Sequence, residues 1–325
     1  MPPSPPPADP SSGGSDVVAV TTGAAPAGGP GPFELLGRCT FPASGRALVC
    51  GVSGGADSLA LLVLAVAAGC EVTAVHVDHG LRDGSAEEAD LVAQAAARYG
   101  ARFRAVTVDV AAGANLEARA RAARHAALGS HAALGHTADD RAETVLVNLL
   151  RGAGLDGLAG IRPGLRHPIL GLRRRETEAL CRAEGLVPIV DPSNVDPAFL
   201  RNRVRHEVLP LLADVADRDL VPVLTRQADL VAAAADHLRA EAAALDVTDA
   251  SALGAAPEAV AQVAVREWLR ADHPERHPPD AATVERVLAV ARGEVVATDV
   301  GRDRRVQRSR GRLALLPSVT PDGVR

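Results

Sequence analysis

The first residues that could do chemistry form a short polar string, Ser53-Gly-Gly-Ala-Asp-Ser58. An apolar run at residues 47–52 precedes the string and predicts a buried strand, and residues 59–68 predict a helix rich in Leu, Ala and Val. Glycines at such a junction let backbone amides approach phosphate oxygens, and the helix adds its positive N-terminal end. Both serine hydroxyls could donate hydrogen bonds, and Asp57 could hold a magnesium ion that bridges phosphates. The string therefore predicts a phosphate-binding loop, with a structural turn as the alternative.

Two carboxylates, Asp140 and Glu143, lie three residues apart at the start of a helix predicted over residues 139–150. This spacing places them on one helix face. Two carboxylates on one face could bind a cation and help to remove a proton from it. The alternative is an acidic helix start that complements the helix dipole. His136 lies just before them at a predicted strand end, where lining a pocket and transferring a proton both remain open.

Arginines recur at helical spacing. Arg201 and Arg205 are one turn apart and would face the same way, as residues that contact phosphates do. Ordinary salt bridges are the alternative. A second basic cluster occupies the C-terminal end, where contact with a nucleic acid and a solvated strand face are equally open: Arg302, Arg304, Arg305, Arg308, Arg310 and Arg312.

The elements that must position these residues alternate between strand and helix. Four such pairs with short connections predict a parallel, doubly wound α/β sheet with right-handed crossovers and helices on both faces. Ligands of such sheets bind at the carboxyl ends of the strands, which is where the polar residues fall. The predicted strands are 47–52, 72–77, 103–108 and 132–135, and the predicted helices are 59–68, 85–99, 116–128 and 139–150.

The rest of the chain divides into segments of different character. Residues 1–32 are rich in Pro, Gly and Ser, which predicts a disordered tail. Residues 33–212 would form the catalytic domain, with a further helix over residues 174–184. Residues 213–325 would form an all-helical accessory domain with a basic C-terminal segment, in which residues 295–316 predict a small strand pair.

Composition narrows the function classes. All 35 basic residues are arginine, which excludes a Schiff-base lysine and a Walker-A lysine. The four cysteines are scattered and form no C-x-x-C pair, so a zinc or iron–sulfur site is not expected. No signal peptide or membrane span is evident, so the sequence predicts a soluble, cytoplasmic protein without a membrane partner. The net charge is −5, but residues 161–207 and 299–325 are basic, which favours a phosphate-bearing partner held at defined patches.

The loop S-G-G-x-D-S between strand and helix resembles that of the PP-loop ATP pyrophosphatases, which cleave ATP to AMP and pyrophosphate. Further motifs in the same order make residues 46–212 similar to the tRNA(Ile)-lysidine synthetases. These motifs are H-V-D-H-G-L-R at 76–82, A-R-x-x-R with Arg121 and Arg124, the long stretch from Leu134 to Gly160, D-P-S-N at 191–194, and F-L-R-N-R-V-R-H-E-V-L-P at 199–210.

The resemblance implies a two-step reaction with ATP and magnesium. The wobble cytidine of tRNA(Ile), anticodon CAU, is adenylated on its carbonyl oxygen, and free L-lysine then displaces AMP. The oligomeric state stays open, with a homodimer as one alternative. The implied roles are ATP binding by Ser53, Gly54, Gly55, Ala56, Asp57 and Ser58; metal binding by Asp57; catalysis by Asp57, Arg121, Asp140, Glu143 and Arg205; lysine binding by Asp140 and Glu143; and tRNA binding by Arg201, Asn202, Arg205, Arg304, Arg305 and Arg308.

The chain departs from the family pattern at two positions, since Arg141 stands in place of glutamine and His125 in place of tyrosine. Three alternatives remain. A tRNA 2-thiolation enzyme shares the loop, but its iron–sulfur forms need a cysteine constellation. An amide-forming synthetase would not explain the R-N-x-x-R element at Arg201. A nucleotide-gated tRNA-binding module would leave the carboxylates idle.

Overall fold

The computed structural model describes residues 29–78, 85–108, 119, 123, 126–273 and 279–317. The predicted disordered tail therefore lies almost wholly outside the described residues. So does most of the helix predicted over residues 116–128, including Arg121, Arg124 and His125, although residues 126–128 are helical.

The N-terminal half contains a four-stranded parallel sheet with the order β3-β2-β1-β4. Its chain runs from β1 to β2 and β3 on one side and then crosses to β4 on the other side of β1, so the strand order reverses between β1 and β4. Ligands of open α/β sheets bind at such a reversal. The elements are α1 (Pro32–Leu36), β1 (Ala47–Gly51), α2 (Ala56–Ala67), β2 (Glu71–Asp78), α3 (Ser85–Arg98), β3 (Arg102–Thr107), β4 (Ala133–Leu134) and α4 (Ala138–Leu150).

Side chains on both faces of β2 are buried, whereas the edge strand β3 is largely exposed. Leu48 and Val72 point into a core formed with α2 and α3. Val75 on the opposite face packs with Leu128 and Ala132. Burial of each large aliphatic side chain contributes about 1.5–3 kcal/mol, and this core of Leu, Val and Ala needs few aromatic residues. The predicted parallel α/β sheet is confirmed.

Helices dominate the following region, as predicted. A connector leads to helices that build a second aliphatic core together with the C-terminal strands. None of the helices in the described part of the chain combines the length and apolar character that a bilayer crossing requires. The elements are α5 (Leu155–Leu158), α6 (Arg174–Ala183), a 3-10 turn (Pro192–Val195), α7 (Leu200–Arg203), a π-helical turn (Val204–Val208), α8 (Leu209–Val215), α9 (Val221–Ala243), α10 (Ala250–Ala255), α11 (Glu258–Asp272) and α12 (Ala281–Arg292).

The C-terminal segment forms an antiparallel sheet of three strands, one more than the predicted pair. The strands are β5 (Ala297–Gly301), β6 (Arg304–Ser309) and β7 (Arg312–Pro317). Arg302 and Asp303 both have positive φ, at 51° and 54°, and make the first turn. Residues other than glycine rarely adopt positive φ. The residue types of Arg302 and Asp303 therefore do not indicate a tight hairpin in the sequence.

Helix α9 joins the helical region to the sheet domain. Asp229 of α9 forms an ion pair with Arg141 on α4 at 2.7 Å, and Asp236 of α9 forms one with Arg162 at 2.9 Å. The Arg141 side chain is only 5% exposed. This residue, one of the departures from the family pattern, therefore connects the start of α4 to the helical region.

Candidate active site

The loop between β1 and α2 is closed by its own side chains. The Ser58 hydroxyl accepts a hydrogen bond from the Ser53 amide at 3.1 Å and donates to the Gly55 carbonyl at 2.8 Å. Gly54 has φ +89°, and a Cβ there would lie 2.5 Å from Cδ1 of Ile189, so glycine is required. The Ile189 amide donates to the Gly54 carbonyl at 3.0 Å. The Ser58 hydroxyl, predicted as a phosphate donor, thus holds the loop in shape.

A cleft of about 690 Å³ opens above this loop. Apolar residues from the strand ends line one side of it, and the charged residues Asp57, Asp140, Arg174 and Arg205 line another. The segment after β4 packs closely against the start of α2, because a Cβ on Gly135 would lie 2.7 Å from the Asp57 carbonyl oxygen. The fold therefore brings the phosphate loop and the start of α4 into one site, as the strand-end pattern predicts.

Glu143 is the most enclosed charged group of this site, with a side chain only 1% exposed. Its two oxygens accept hydrogen bonds from Arg174 at 3.0 Å, from Arg201 at 2.8 Å and from Arg205 at 2.7 and 3.0 Å. A buried carboxylate is stable only when cations and donors surround it, and these guanidinium groups meet that need.

Asp140 connects the same arginines to the helix start. Its Oδ2 accepts from the amide and the hydroxyl of Thr137 at 2.8 and 2.9 Å, an N-terminal capping arrangement. Its Oδ1 accepts from Arg174 at 3.0 Å and from Arg201 at 3.1 Å. Burial acts to raise the pKa of Asp140, but Arg174, Arg201 and the Thr137 amide hold this pKa below its ordinary value. The carboxylate is therefore ionised at neutral pH.

Asp57 lies beside this cluster at the phosphate loop. One of its oxygens accepts a hydrogen bond from the Thr177 hydroxyl, and the other lies 3.5 Å from Nε of Arg174. Burial and the nearby Asp140 raise the pKa of Asp57 to about 6, against the opposing effects of Thr177 and Arg174.

Asp57 fits the magnesium role only as a single ligand. Across the residues that the structure describes, no group of three or more His, Cys, Asp or Glu side chains could hold a metal ion. Magnesium, however, often binds through one or two carboxylates and takes its remaining ligands from substrate phosphates and water. The partly buried carboxylate of Asp57 at the edge of the phosphate loop fits that pattern.

Arg174 is a site residue that the sequence analysis missed. It contacts Asp57, Asp140 and Glu143 at once. The signal was a run of arginines, residues 173–175, at the start of a predicted helix. Cations there oppose the helix dipole, so such a run indicates acidic partners elsewhere in the fold.

Two further predicted residues have well-defined surroundings. Asn202 is buried, and its side-chain amide donates to the Asp196 carbonyl at 2.9 Å, which holds the Arg201 segment in place. His136 lines the cleft, and its Nδ1 lies 2.9 Å from Nδ1 of His167.

The three C-terminal arginines predicted to bind tRNA lie on β6. Arg304 forms an ion pair with Asp272 at 2.9 Å. Arg308 donates to the Ala291 carbonyl at 3.0 Å, near the C-terminal end of α12. Arg305 points to the opposite face of the strand and donates to Gln307 at 2.6 Å. The strand therefore splits the cluster, and only Arg305 faces away from the helical core.

Comparisons with known proteins show the family to which the chain belongs. Residues 35–212 match the PP-loop domain family. The chain is 41% identical over 298 residues to the tRNA(Ile)-lysidine synthase of Nocardia farcinica (strain IFM 10152), which covers 85% of this chain and 93% of that protein. It is 41% identical over 240 residues to the tRNA(Ile)-lysidine synthase of Rhodococcus erythropolis (strain PR4 / NBRC 100887), covering 69% and 74%.

Among solved structures, the U34-tRNA thiolase NcsA from Methanococcus maripaludis superposes with a TM-score of 0.50 at 17% identity, covering 62% of this chain and 77% of that one. This likeness concerns the fold alone. The sequence relatives and the matched domain are more specific, and they agree with the motifs gathered in the cleft. The chain belongs to the tRNA(Ile)-lysidine synthase family of PP-loop proteins.

Proposed function

We propose that the protein uses ATP to ligate L-lysine to the wobble cytidine of a tRNA(Ile) with the anticodon CAU, releasing AMP and pyrophosphate. Its catalytic domain would span residues 33–212 and its tRNA-binding accessory domain residues 213–325. The observation that carries this proposal is one cleft that joins a phosphate loop to Asp140, which shares Arg174 with the buried Glu143, in a chain of this family.

The first step would be attack of the cytidine carbonyl oxygen on the α-phosphorus of ATP, with pyrophosphate leaving. The amides of the loop at residues 53–58 and the N-terminal end of α2 suit the phosphates. Arg174 and Arg205 line the cleft and would offset the negative charge. A magnesium ion on Asp57 would neutralise further phosphate charge.

The second step would be attack of the lysine ε-amine on the activated ring carbon, with AMP leaving. Asp140 and Glu143 would recognise the ammonium group. Both carboxylates already hold guanidinium groups, so an entering ammonium must replace one of them. Arg201 is the natural candidate, because its side chain is 34% exposed, against 22% for Arg174 and Arg205. Replacement of the Arg201 guanidinium by the lysine ammonium would leave the net charge around Asp140 and Glu143 unchanged.

The function is tested by omitting one component at a time. Pyrophosphate release should need ATP and unmodified tRNA(Ile), and it should proceed without lysine in a single turnover. Release of AMP and loss of free lysine should require all three. A tRNA(Met) with the same anticodon should support neither step. Pyrophosphate release that does not depend on the tRNA would contradict the proposal.

Asp140→Asn is expected to raise the lysine requirement by about ten- to a hundredfold, because a hydrogen bond to a charged group contributes roughly 1.5–3 kcal/mol. Adenylation, measured as lysine-independent pyrophosphate release, should largely survive. Asp139→Asn is the matched control, since Asp139 pairs with Arg173 and accepts from the Arg174 backbone amide but contacts none of the guanidinium groups around Glu143. If Asp140→Asn stops adenylation completely, the aspartate serves ATP and the lysine site lies elsewhere.

The β6 arginines are proposed to contact tRNA phosphates. Neutralising Arg304, Arg305 and Arg308 together should weaken tRNA binding and reduce the slope of log affinity against log salt by about one unit per lost contact. Arg305→Gln alone should account for one such unit, because its side chain faces away from the helices. The exposed Arg102→Gln is the control. An unchanged slope in the triple variant would show that these arginines do not contact tRNA phosphates.

A further inference from the structure

The second step of the proposed reaction needs a proton acceptor. Lysine enters as an ammonium ion, and its nitrogen has no lone pair for attack until one proton is removed. The two carboxylates proposed to recognise the ammonium group are poor acceptors, and Asp57 is assigned to the magnesium ion. Glu143 is held by four hydrogen bonds from three arginines, and the pKa of Asp140 is below its ordinary value. A weakly basic carboxylate removes a proton slowly even when it lies next to the ammonium group.

A pair of histidines offers the missing group. His136 follows β4 and lines the cleft, and His167 contacts it from the segment between α5 and α6. Their Nδ1 atoms are 2.9 Å apart, and their rings are tilted by 52° with centroids 4.8 Å apart. A hydrogen bond between two Nδ1 atoms requires a proton on one and a lone pair on the other. Nε2 of His136 has a lone pair for a substrate proton in the tautomer that carries the shared proton on Nδ1 of His136, and the proton exchange then uses Nε2.

Acidic and basic side chains line the cleft together with His136. Asp140 on α4 is close enough that His136 is one of the groups that lower the pKa of its carboxyl. The other titratable groups that line the cleft are Asp57 on α2, Arg174, Glu178 and Arg182 on α6, and Arg205 and His206 on the π-helical turn. The ordinary histidine pKa, about 6.5, suits a base that works near neutral pH.

We propose that His136 is the catalytic residue that accepts the proton of the lysine ε-ammonium at Nε2, and that His167 is its positioning residue through the Nδ1 contact. This inference rests on the proposed function. An N–H bond of the ammonium breaks, and its electron pair remains on nitrogen. The lone pair then forms the C–N bond while the C–O bond to AMP breaks. The second proton on nitrogen leaves with the departing phosphate oxygen.

The test separates the two half-reactions in single turnovers of the full chain with ATP, magnesium and unmodified tRNA(Ile). His136→Gln should release pyrophosphate within about threefold of the wild-type rate, and its lysine-dependent AMP release should fall by about 10²–10⁴-fold, the usual contribution of a general base. As pH rises from 7 to 9, the rate of the variant should recover by about tenfold per unit, because the free-amine fraction of lysine grows at that rate below its pKa of about 10.4.

His167 is tested by two substitutions. His167→Phe should slow the lysine step by about tenfold, a modest part of the effect of a general base, and should leave adenylation unchanged. His167→Gln keeps a group that can hydrogen-bond to Nδ1 and should restore much of the rate. His237→Gln, at an exposed position on α9, is the control for loss of a histidine.

The outcomes are distinct. If His136→Gln loses adenylation as severely as the lysine step, or shows no recovery at high pH, His136 is not the proton acceptor. If His167→Phe matches His237→Gln, the positioning role is wrong. If the wild-type protein itself fails to release pyrophosphate with tRNA, the proposed function fails, independently of the histidines.

Discussion

Glu143→Gln is expected to lower the free energy of unfolding by about 3–5 kcal/mol, the cost of removing one partner from a buried ion cluster. Glu143 is fully buried, and Arg174, Arg201 and Arg205 all donate to it. Glutamine keeps the shape, but it removes the negative charge and turns a donor towards the guanidinium groups. Urea denaturation followed by circular dichroism measures this difference.

The same substitution at an exposed site provides the control. Glu207 pairs with Arg203 one turn away at 3.0 Å, with both side chains about half exposed. A surface pair of this kind contributes roughly 0–1 kcal/mol, so Glu207→Gln should change stability little. Equal effects of the two substitutions would show that the cluster around Glu143 does not hold the site together.

Asp57→Ala should reduce AMP formation by at least about 10³-fold, the upper end for loss of one electrostatic contact to developing charge. Both half-reactions should fail together, in contrast to Asp140→Asn. The fold should survive, because the Asp57 side chain faces the cleft. Single-turnover release of pyrophosphate and AMP measures the effect. Normal turnover by a folded variant would remove Asp57 from the ATP site.

The raised pKa of Asp57 adds a pH dependence with a definite sign. With a pKa of about 6, Asp57 loses its charge below that pH, so kcat/KM for ATP should fall by about tenfold per unit in acid. The folded state binds this proton more tightly than the unfolded chain does. The contribution of Asp57 to stability therefore decreases as pH rises from its ordinary pKa, near 4, to about 6. Asp57→Asn should lack this decrease and be at least as stable at pH 7.

Much of the sheet domain could be predicted because its signals are local. Apolar runs of strand length alternate with helical segments, and each run ends in polar or glycine residues. That pattern defines both the parallel sheet and the edge where Ser53, Asp57, His136 and Asp140 meet. The carboxylate pair on one face of α4 follows from helical spacing alone.

Contacts between distant segments could not be predicted in this way. Arg174 reaches Asp57 and Glu143 only because α6 packs beside the loop, and no spacing rule connects these positions. The pairing of His136 with His167 depends in the same way on where the connector returns to β4. The contacts that a polar side chain makes within the fold could not be predicted either. The Ser58 hydroxyl closes its own loop, and Arg308 donates to the end of a helix.

The central claim is that lysine becomes covalently attached to the anticodon of tRNA(Ile). The most direct measurement is mass spectrometry of the anticodon fragment after the protein, ATP, magnesium, isotopically labelled L-lysine and unmodified tRNA(Ile) have reacted. The expected result is a wobble cytidine whose mass has increased by one labelled lysine less one water, with one AMP and one pyrophosphate formed per tRNA. An unmodified cytidine in tRNA that has been turned over with ATP, or a label found anywhere but the wobble position, would contradict the account.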